Sequence, residues 1–410
     1  MRTYLMGLFV DVQGRTQRML DELTQRCSPL SPTAAFLAAA PLRAFMDDTL
    51  ENLRTLAKDT GHIIAERRQL YTDLLVLGSD DAERELAEYD SSYFGIYSRL
   101  YERLQRLDYR YTVIIHYGPD SAEIGHLLAR IYAEIGLSTI APPVVSLISK
   151  AEDYYSANCE DGVIGAPFEE KHHLLNWPDI YHEIAHFIYE NHKHFLLGQG
   201  QIEQQVRQHF SSQLEQAEAS RKGFWRDTQS RWLSYWLMEF TCDLLATYLT
   251  GRAYAWSNFR LSSVIPVDGD RKPKRHVYTA YTTHPPNEAR MRAIFKMLER
   301  CGWHEADLTA LKADWMAYIR LSVHEKPVAY EAIIPDDLLE LLVGCVFEEC
   351  PNILLRSYHE QLRHAPIRTP IAHLLDVAWQ ELLVRPENYP VWEAEQIRQL
   401  HATDTPATGA

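Results

Sequence analysis

The chain has 410 residues, 46% of them hydrophobic, enough to bury sizeable cores in one elaborated domain or in two or three smaller ones. A net charge of −15 opposes binding to nucleic acid or to an anionic membrane surface, because like charges repel. The six cysteines, Cys27, Cys159, Cys242, Cys301, Cys345 and Cys350, form no C-x-x-C pair. That argues against a disulfide framework or a cysteine metal knuckle and favours a reducing compartment.

The first apolar run, Tyr4 to Val10, ends at Asp11. It is short for a signal peptide, and no small-residue cleavage site follows it. No apolar stretch approaches the roughly 18 residues needed to span a bilayer, so the sequence reads as soluble and cytoplasmic. Residues 1–108 read as a helical region. Leu5, Leu8, Phe9, Met19, Leu20 and Leu23 form one stripe, broken at Ser28 to Pro32. Phe36 to Leu77 is a second helical stretch, interrupted near Pro41 and Gly61. Ala82 to Leu107 is a third, with Tyr89, Tyr93, Tyr97 and Tyr101 at four-residue steps, a spacing that reads as packing.

From Tyr109 the texture changes. Tyr111 to Ile115 is rich in β-branched residues and predicts a strand. Ser121 to Gly136 predicts a helix capped by Ser121 and stopped by Gly136. Val144 to Ile148, after Pro142 and Pro143, predicts a second strand. Val163, Ile164, Gly165 and Ala166, between Gly162 and Pro167, predict a third. Flanking Gly and Pro mark a sheet edge. Such an edge has free N–H and C=O groups to which an extended peptide can add; an ordinary edge without a ligand is the other reading.

Pro178 and Asp179 then open a helix. Pro suits its first position and Asp the positive end of the helix dipole. Ile180, Ile184, Phe187 and Ile188 carry its apolar spacing. The helix contains His182-Glu183-Ile184-Ala185-His186, which reads H-E-x-x-H. Positions four apart share a helix face, so both imidazoles can point at one metal ion, and Glu183 can reach a water bound there. Zinc suits imidazole donors. His192 and His194 lie beyond the end of this stripe and read as surface residues or as outer partners of the ligands.

Gln201 to Arg221 is polar and helical, a surface segment or a lid over a cleft. Arg231 to Thr250 is a strong apolar helix interrupted by Glu239 and Asp243, four apart on one face. Carboxylates on an apolar helix are costly without partners. Zinc would be one partner for Glu239. Asp243 would accept from the outer nitrogen of a ligating histidine. The alternative is that both face solvent. The segment from Ser257 to Arg275, with the basic run Arg271 to Arg275, reads as an added loop and a second candidate cover.

The motif helix, the E-x-x-x-D helix and the following His284-Pro285-Pro286-Asn287-Glu288-Ala289-Arg290 together resemble the gluzincin zinc metallopeptidases. The last segment is similar to that of the CAAX prenyl protease and heat-shock membrane peptidase families. The resemblance covers Gly162 to Leu298. It implies one zinc per chain, held by His182, His186 and Glu239, with Glu183 as general base. It also implies that Asp243 orients a ligand, that His284 sits near the scissile carbonyl, and that Arg290 braces the ligand helix. Tyr278 and Tyr281, near His284, are candidate oxyanion or substrate contacts. The chain departs from those membrane families in having no spanning stretch and in placing Cys242 before the Asp, where Ala is usual.

After residue 300 the chain reads as helical again, over Ala306 to Leu321, Pro335 to Phe347, Asn352 to Arg363 and Ile371 to Leu383, with a disordered tail from Leu400. The expected fold is α+β and mostly helical. A minimal gluzincin core over residues 109–300, a small mixed sheet with active-site helices, would carry helical additions at 1–108 and 301–400 and a tail at 401–410. The expected function is hydrolysis of peptide bonds in specific proteins or peptides, with no nucleic-acid or membrane partner. The alternatives are a zinc hydrolase acting on a non-peptide amide or ester, and a metal-stabilised scaffold without catalysis.

Overall fold

A computed structural model describes residues 2–26, 40–77, 80–148, 155–167, 173–263, 277–278, 283–320, 326–364 and 369–404. Among the described residues helix dominates, with one small mixed three-stranded sheet, an α+β arrangement. The chain divides into two compact units.

The first unit comprises Met1–Gly125, Pro143–Leu147 and Asp161–Val163. It is built on α1 (Arg2–Arg26), α2 (Ala40–Leu77) and α3 (Asp80–His116). Phe9, Val12, Leu23, Leu53, Leu56 and Leu104 are fully buried between them. Tyr93, Tyr97 and Tyr101 of the tyrosine stripe pack as their spacing predicts. Phe9 meets Tyr93 and Tyr97 edge-on at 6.2 and 6.0 Å, and Tyr97 stacks on Tyr101 at 5.6 Å.

Two sequence expectations fail in this unit. Helix α2 passes through Gly61 without a break, because the roughly 0.5–1 kcal/mol a helical glycine costs is small beside the packing on either side. Tyr111 to Ile115 is not a strand but the last turns of α3. There the helix buries Val113 and Ile114 on its packed face, and Thr112 returns its hydroxyl to Asp108 O at 2.8 Å. β-Branched residues disfavour helix only weakly, and tertiary packing overrides the preference.

The sheet consists of β1 (Val144–Ile148), β2 (Ser156–Asn158) and β3 (Val163–Pro167) in the order β1-β3-β2. The expected substrate edge, Val163, Ile164, Gly165 and Ala166, is therefore the middle strand. All four residues are buried, so both faces of the strand are covered along this stretch. Gly162 marks the tight turn into β3, with φ +68°, and not an edge.

The second unit comprises His126–Pro142, Ile148–Glu160 and Ile164–Ala410. It holds the end of α4 (Pro119–Glu134) and then α5 (Pro178–Leu196), α6 (Gln201–Gln216), α7 (Lys222–Arg231), a π-helical turn (Trp232–Trp236), α8 (Leu237–Thr250) and α9 (Arg252–Ser263). It continues with α10 (Asn287–Arg300), α11 (Glu305–Arg320), α12 (Tyr330–Ile333), α13 (Asp336–Glu349), α14 (Tyr358–His364), α15 (Ile371–Val384) and α16 (Tyr389–Asp404).

Helix α6 is polar in composition, yet Ile202, Val206 and Phe210, one turn apart, are fully buried, so it packs on the body as a fixed element. The added loop expected from Ser257 begins instead as the second half of α9. Its remainder, 264–276 with the basic run, lies outside the described residues. The helix expected from Asn352 begins only at Tyr358; before it, Leu354 has φ +65°. Helix α16 carries the chain past Leu400 to Asp404, and 405–410 lie outside the described residues.

The C-terminal helices tie into the same unit by directed contacts. Gln361 donates to Leu249 O at 2.8 Å, Arg252 pairs with Asp376 at 2.9 Å, and Glu393 accepts from Leu174 N at 2.7 Å. Among the described residues, no helix is long and apolar enough to cross a membrane.

Candidate metal centre

Helix α5 is buried on nearly every side, from Pro178 through Tyr189. Its first turn is fixed by Ser257 on α9, whose hydroxyl lies 3.0 Å from each Asp179 oxygen and 3.2 Å from Leu175 O. An apolar, clamped helix of this kind holds the phase of its polar residues. His182 and His186 fall one above the other, their rings 5.0 Å apart and nearly perpendicular.

Helix α8 packs against α5 and brings Glu239 to them. One donor atom from each of His182, His186 and Glu239 lies within 4.8 Å of the others. Glu239 Oε2 sits 3.4 Å from His182 Nε2 and 3.5 Å from His284 Nε2, buried and without a well-directed hydrogen bond. Glu239 is 6% exposed and Asp243 0%, so neither carboxylate faces solvent.

Behind this set lies a buried polar frame. Arg290, on α10, donates twice to Asp243, at 2.7 and 2.6 Å. Asp243 Oδ1 is 3.1 Å from His182 Nδ1. Tyr254, on α9, donates to Asp243 Oδ1 at 2.5 Å, and its oxygen is 2.9 Å from His182 Nδ1.

The electrostatics follow from burial and these neighbours. Burial pushes the Glu183 carboxyl up to about 7, with Glu239 and Asp179 raising it and His182 and Arg290 opposing. Burial and the charge of His182 lower His186 to about 4, so its ring is neutral at pH 7. Burial opposes the charge on His182, but hydrogen bonding and the charges of Asp243 and Glu239 outweigh it and hold the imidazole well up. Burial would likewise raise Asp243, but Arg290 and His182 hold it well below the usual carboxylate range.

A cavity of about 720 Å³ opens onto the set. Glu183, His186, Glu190, Met238 and His284 line one part, and Tyr155 to Ala157 with Cys159 and Glu160 line another. The strand beside the cavity is thus β2, an edge of the sheet, in the place expected for β3. Among the other expected residues, His284 is at the cavity. Tyr278 is not among its lining residues; its ring meets Tyr330 edge-on at 5.0 Å. Tyr281 lies outside the described residues. The sequence reading missed Tyr254, because an aromatic residue between the acidic helix and the expected loop from Ser257 gives no sign of what its hydroxyl touches. It also missed β2, three residues without an apolar alternation.

No protein-family model, curated protein or solved structure matches this chain. The likeness to gluzincins therefore rests on the residues of the site alone.

Two imidazole nitrogens and one carboxylate oxygen, the last buried without a directed hydrogen bond, are a donor set that fits a divalent cation, and zinc takes such N and O donors readily.

Proposed function

We propose that this protein is a zinc-dependent metallopeptidase of gluzincin type, acting on specific protein or peptide substrates. The observation that carries the reading is the joining of His182, His186 and Glu239 at one point, with buried Glu183 beside them and a cavity in front. His182, His186 and Glu239 would hold the ion. Zinc in such a site supplies a Lewis acid that acidifies water and polarises a carbonyl.

The chain's own residues supply the rest. Glu183, brought by burial to about 7, can accept a proton at its carboxylate at neutral pH and return it to a leaving amine. His284, on the segment before α10, has its Nε2 3.5 Å from Glu239 Oε2 at the cavity and would offer a donor for negative charge developing on a substrate oxygen. Edge strand β2 offers backbone groups along the cavity wall to an extended peptide. Among the described residues the cluster has three members, one fewer than a structural zinc requires, which favours catalysis over a metal-pinned scaffold.

The test combines metal analysis with substrate profiling. Protein purified under native conditions should carry about one zinc per chain, and a cell-derived peptide library should show cleavages that a chelator stops and zinc restores. Protein that takes up zinc but leaves every peptide intact would overturn the peptidase reading. Protein that takes up no zinc would overturn the metal centre itself.

A further inference from the structure

The buried frame behind His182 contains a residue that neither the motif nor the ligand set accounts for. Tyr254 is 2% exposed and belongs to neither ligand helix. It reaches the site because α8 ends at Thr250 and Gly251 turns the chain with φ +62°. A Cβ at Gly251 would lie 2.5 Å from the Trp303 ring, so only glycine makes this turn, and α9 can then run back against α5.

The hydrogen-bond inventory at the Tyr254 hydroxyl closes. A tyrosine hydroxyl has one donor and two acceptor positions. Asp243 Oδ1, at 2.5 Å, can only accept, so the hydroxyl proton goes to it. Arg290 Nη2, at 3.4 Å, can only donate, so it takes one lone pair. The other lone pair faces His182 Nδ1 at 2.9 Å, which must therefore carry a proton. With its proton held at Nδ1, the ring would present Nε2, the nitrogen that faces Glu239, to a metal ion. The tyrosine oxygen is closer to Nδ1 than Asp243 is, 2.9 against 3.1 Å. The two rings are also nearly parallel, 9° apart.

We propose that Tyr254 is the positioning residue for His182: its hydroxyl transmits the hold of the Arg290–Asp243 pair to Nδ1, fixing both the tautomer and the ring angle of the ligand. The inference rests on the metal reading above. A partner of this kind, one bond removed from the ligand, is worth about 10–100-fold in metal affinity.

The test is Tyr254→Phe in the full chain, which keeps the ring and removes the hydroxyl. Zinc affinity is read by competition with a chromophoric chelator, and ligand geometry by the visible absorption of the cobalt-substituted protein. Tyr358→Phe is the control. It removes a buried tyrosine hydroxyl that bridges His373, at 2.9 Å, and Asp376, at 3.4 Å, away from the cavity. Tyr254→Phe should weaken zinc binding about 10–100-fold and shift the cobalt bands, whereas Tyr358→Phe should change neither. Equal zinc affinity in Tyr254→Phe and wild type overturns the proposal, as does equal weakening in both variants. A wild type that binds no metal is the failure of the metal reading instead. Should Tyr254→Phe fold poorly, nitrogen-15 shifts of the histidine rings in zinc-loaded wild type decide the matter. Ligation of His182 through Nε2 with a protonated Nδ1 supports the proposal, and ligation through Nδ1 overturns it.

Discussion

The Arg290–Asp243 pair offers the most direct test of how the site is held together. Asp243 is fully buried and Arg290 is 13% exposed at its side chain, and two short hydrogen bonds join them. Replacing Arg290 by Met keeps most of the stem's volume and leaves the carboxylate with Tyr254 and His182 only. Breaking a buried pair from one side costs about 3–5 kcal/mol, because the remaining charge stays desolvated. The cost should depend on pH in a defined direction. In the wild type the folded pKa of Asp243 is depressed, so its contribution is present above the unfolded value of about 3.9 and is lost as pH falls through the folded value. Without Arg290, burial is opposed by less, and the folded pKa rises. Once it exceeds the unfolded value, the variant loses stability as pH climbs from about 4, by up to about 1.4 kcal/mol per unit, until the new folded pKa is passed. The deficit should therefore be larger at pH 8 than at pH 5. Urea titrations in chelator, followed by the fluorescence of tryptophans that include the buried Trp232 and Trp236, measure it without any metal contribution. A deficit under about 1 kcal/mol, or one equal at both pH values, would refute the claim that this ion pair holds the frame.

Other substitutions separate the assigned roles. Glu183→Gln should abolish hydrolysis while zinc content stays near one per chain, since Glu183 is the proposed base and not a ligand; loss of metal in this variant would reverse the assignment. Glu239→Ala should empty the site, as read by elemental analysis, and full occupancy would move the third ligand elsewhere. Phe210→Ala should cost about 3–5 kcal/mol in a denaturant titration, because this α6 residue is fully buried and meets Trp225 at 6.2 Å. A change near zero would return α6 to the status of a loose cover.

What could be read from the sequence was what is local or chemically out of place. The motif helix was legible because Pro178, Asp179 and the two histidines all follow one helical period. Glu239 and Asp243 stood out as carboxylates on an apolar helix, and both are buried. Features that depend on partners far along the chain were not legible. Whether β3 is an edge or a middle strand depends on β1 and β2, and nothing in its own residues states it. Helix α3 keeps Val113 and Ile114 because the packed face needs apolar side chains there, whatever their strand preference. Tyr254 looks like any core aromatic until Asp243, Arg290 and His182 are placed around its hydroxyl.

The π-helical turn at Trp232–Trp236 belongs to the same class, and it shows how Glu239 acquires its direction. Read as one regular helix, Arg231 to Thr250 has a single continuous phase. An α-helix advances about 100° per residue, so one residue absorbed in a wider turn rotates everything after it by about that angle relative to everything before. Upstream, Trp225, Thr228 and Trp232 set the buried face, and Trp232 is pinned by its indole N–H to Ile333 O at 2.8 Å. Downstream, α8 is regular, with Thr241 and Thr247 each returning a hydroxyl to the carbonyl four residues back. The wide turn between them lets Trp232 and Trp236 both bury fully while Glu239 and Asp243 point at α5. Without it, either the tryptophans or the carboxylates would face the wrong way. Wide turns of this kind recur at functional sites because they re-aim side chains without ending the helix. Here the turn precedes Glu239, the proposed third ligand, by three residues.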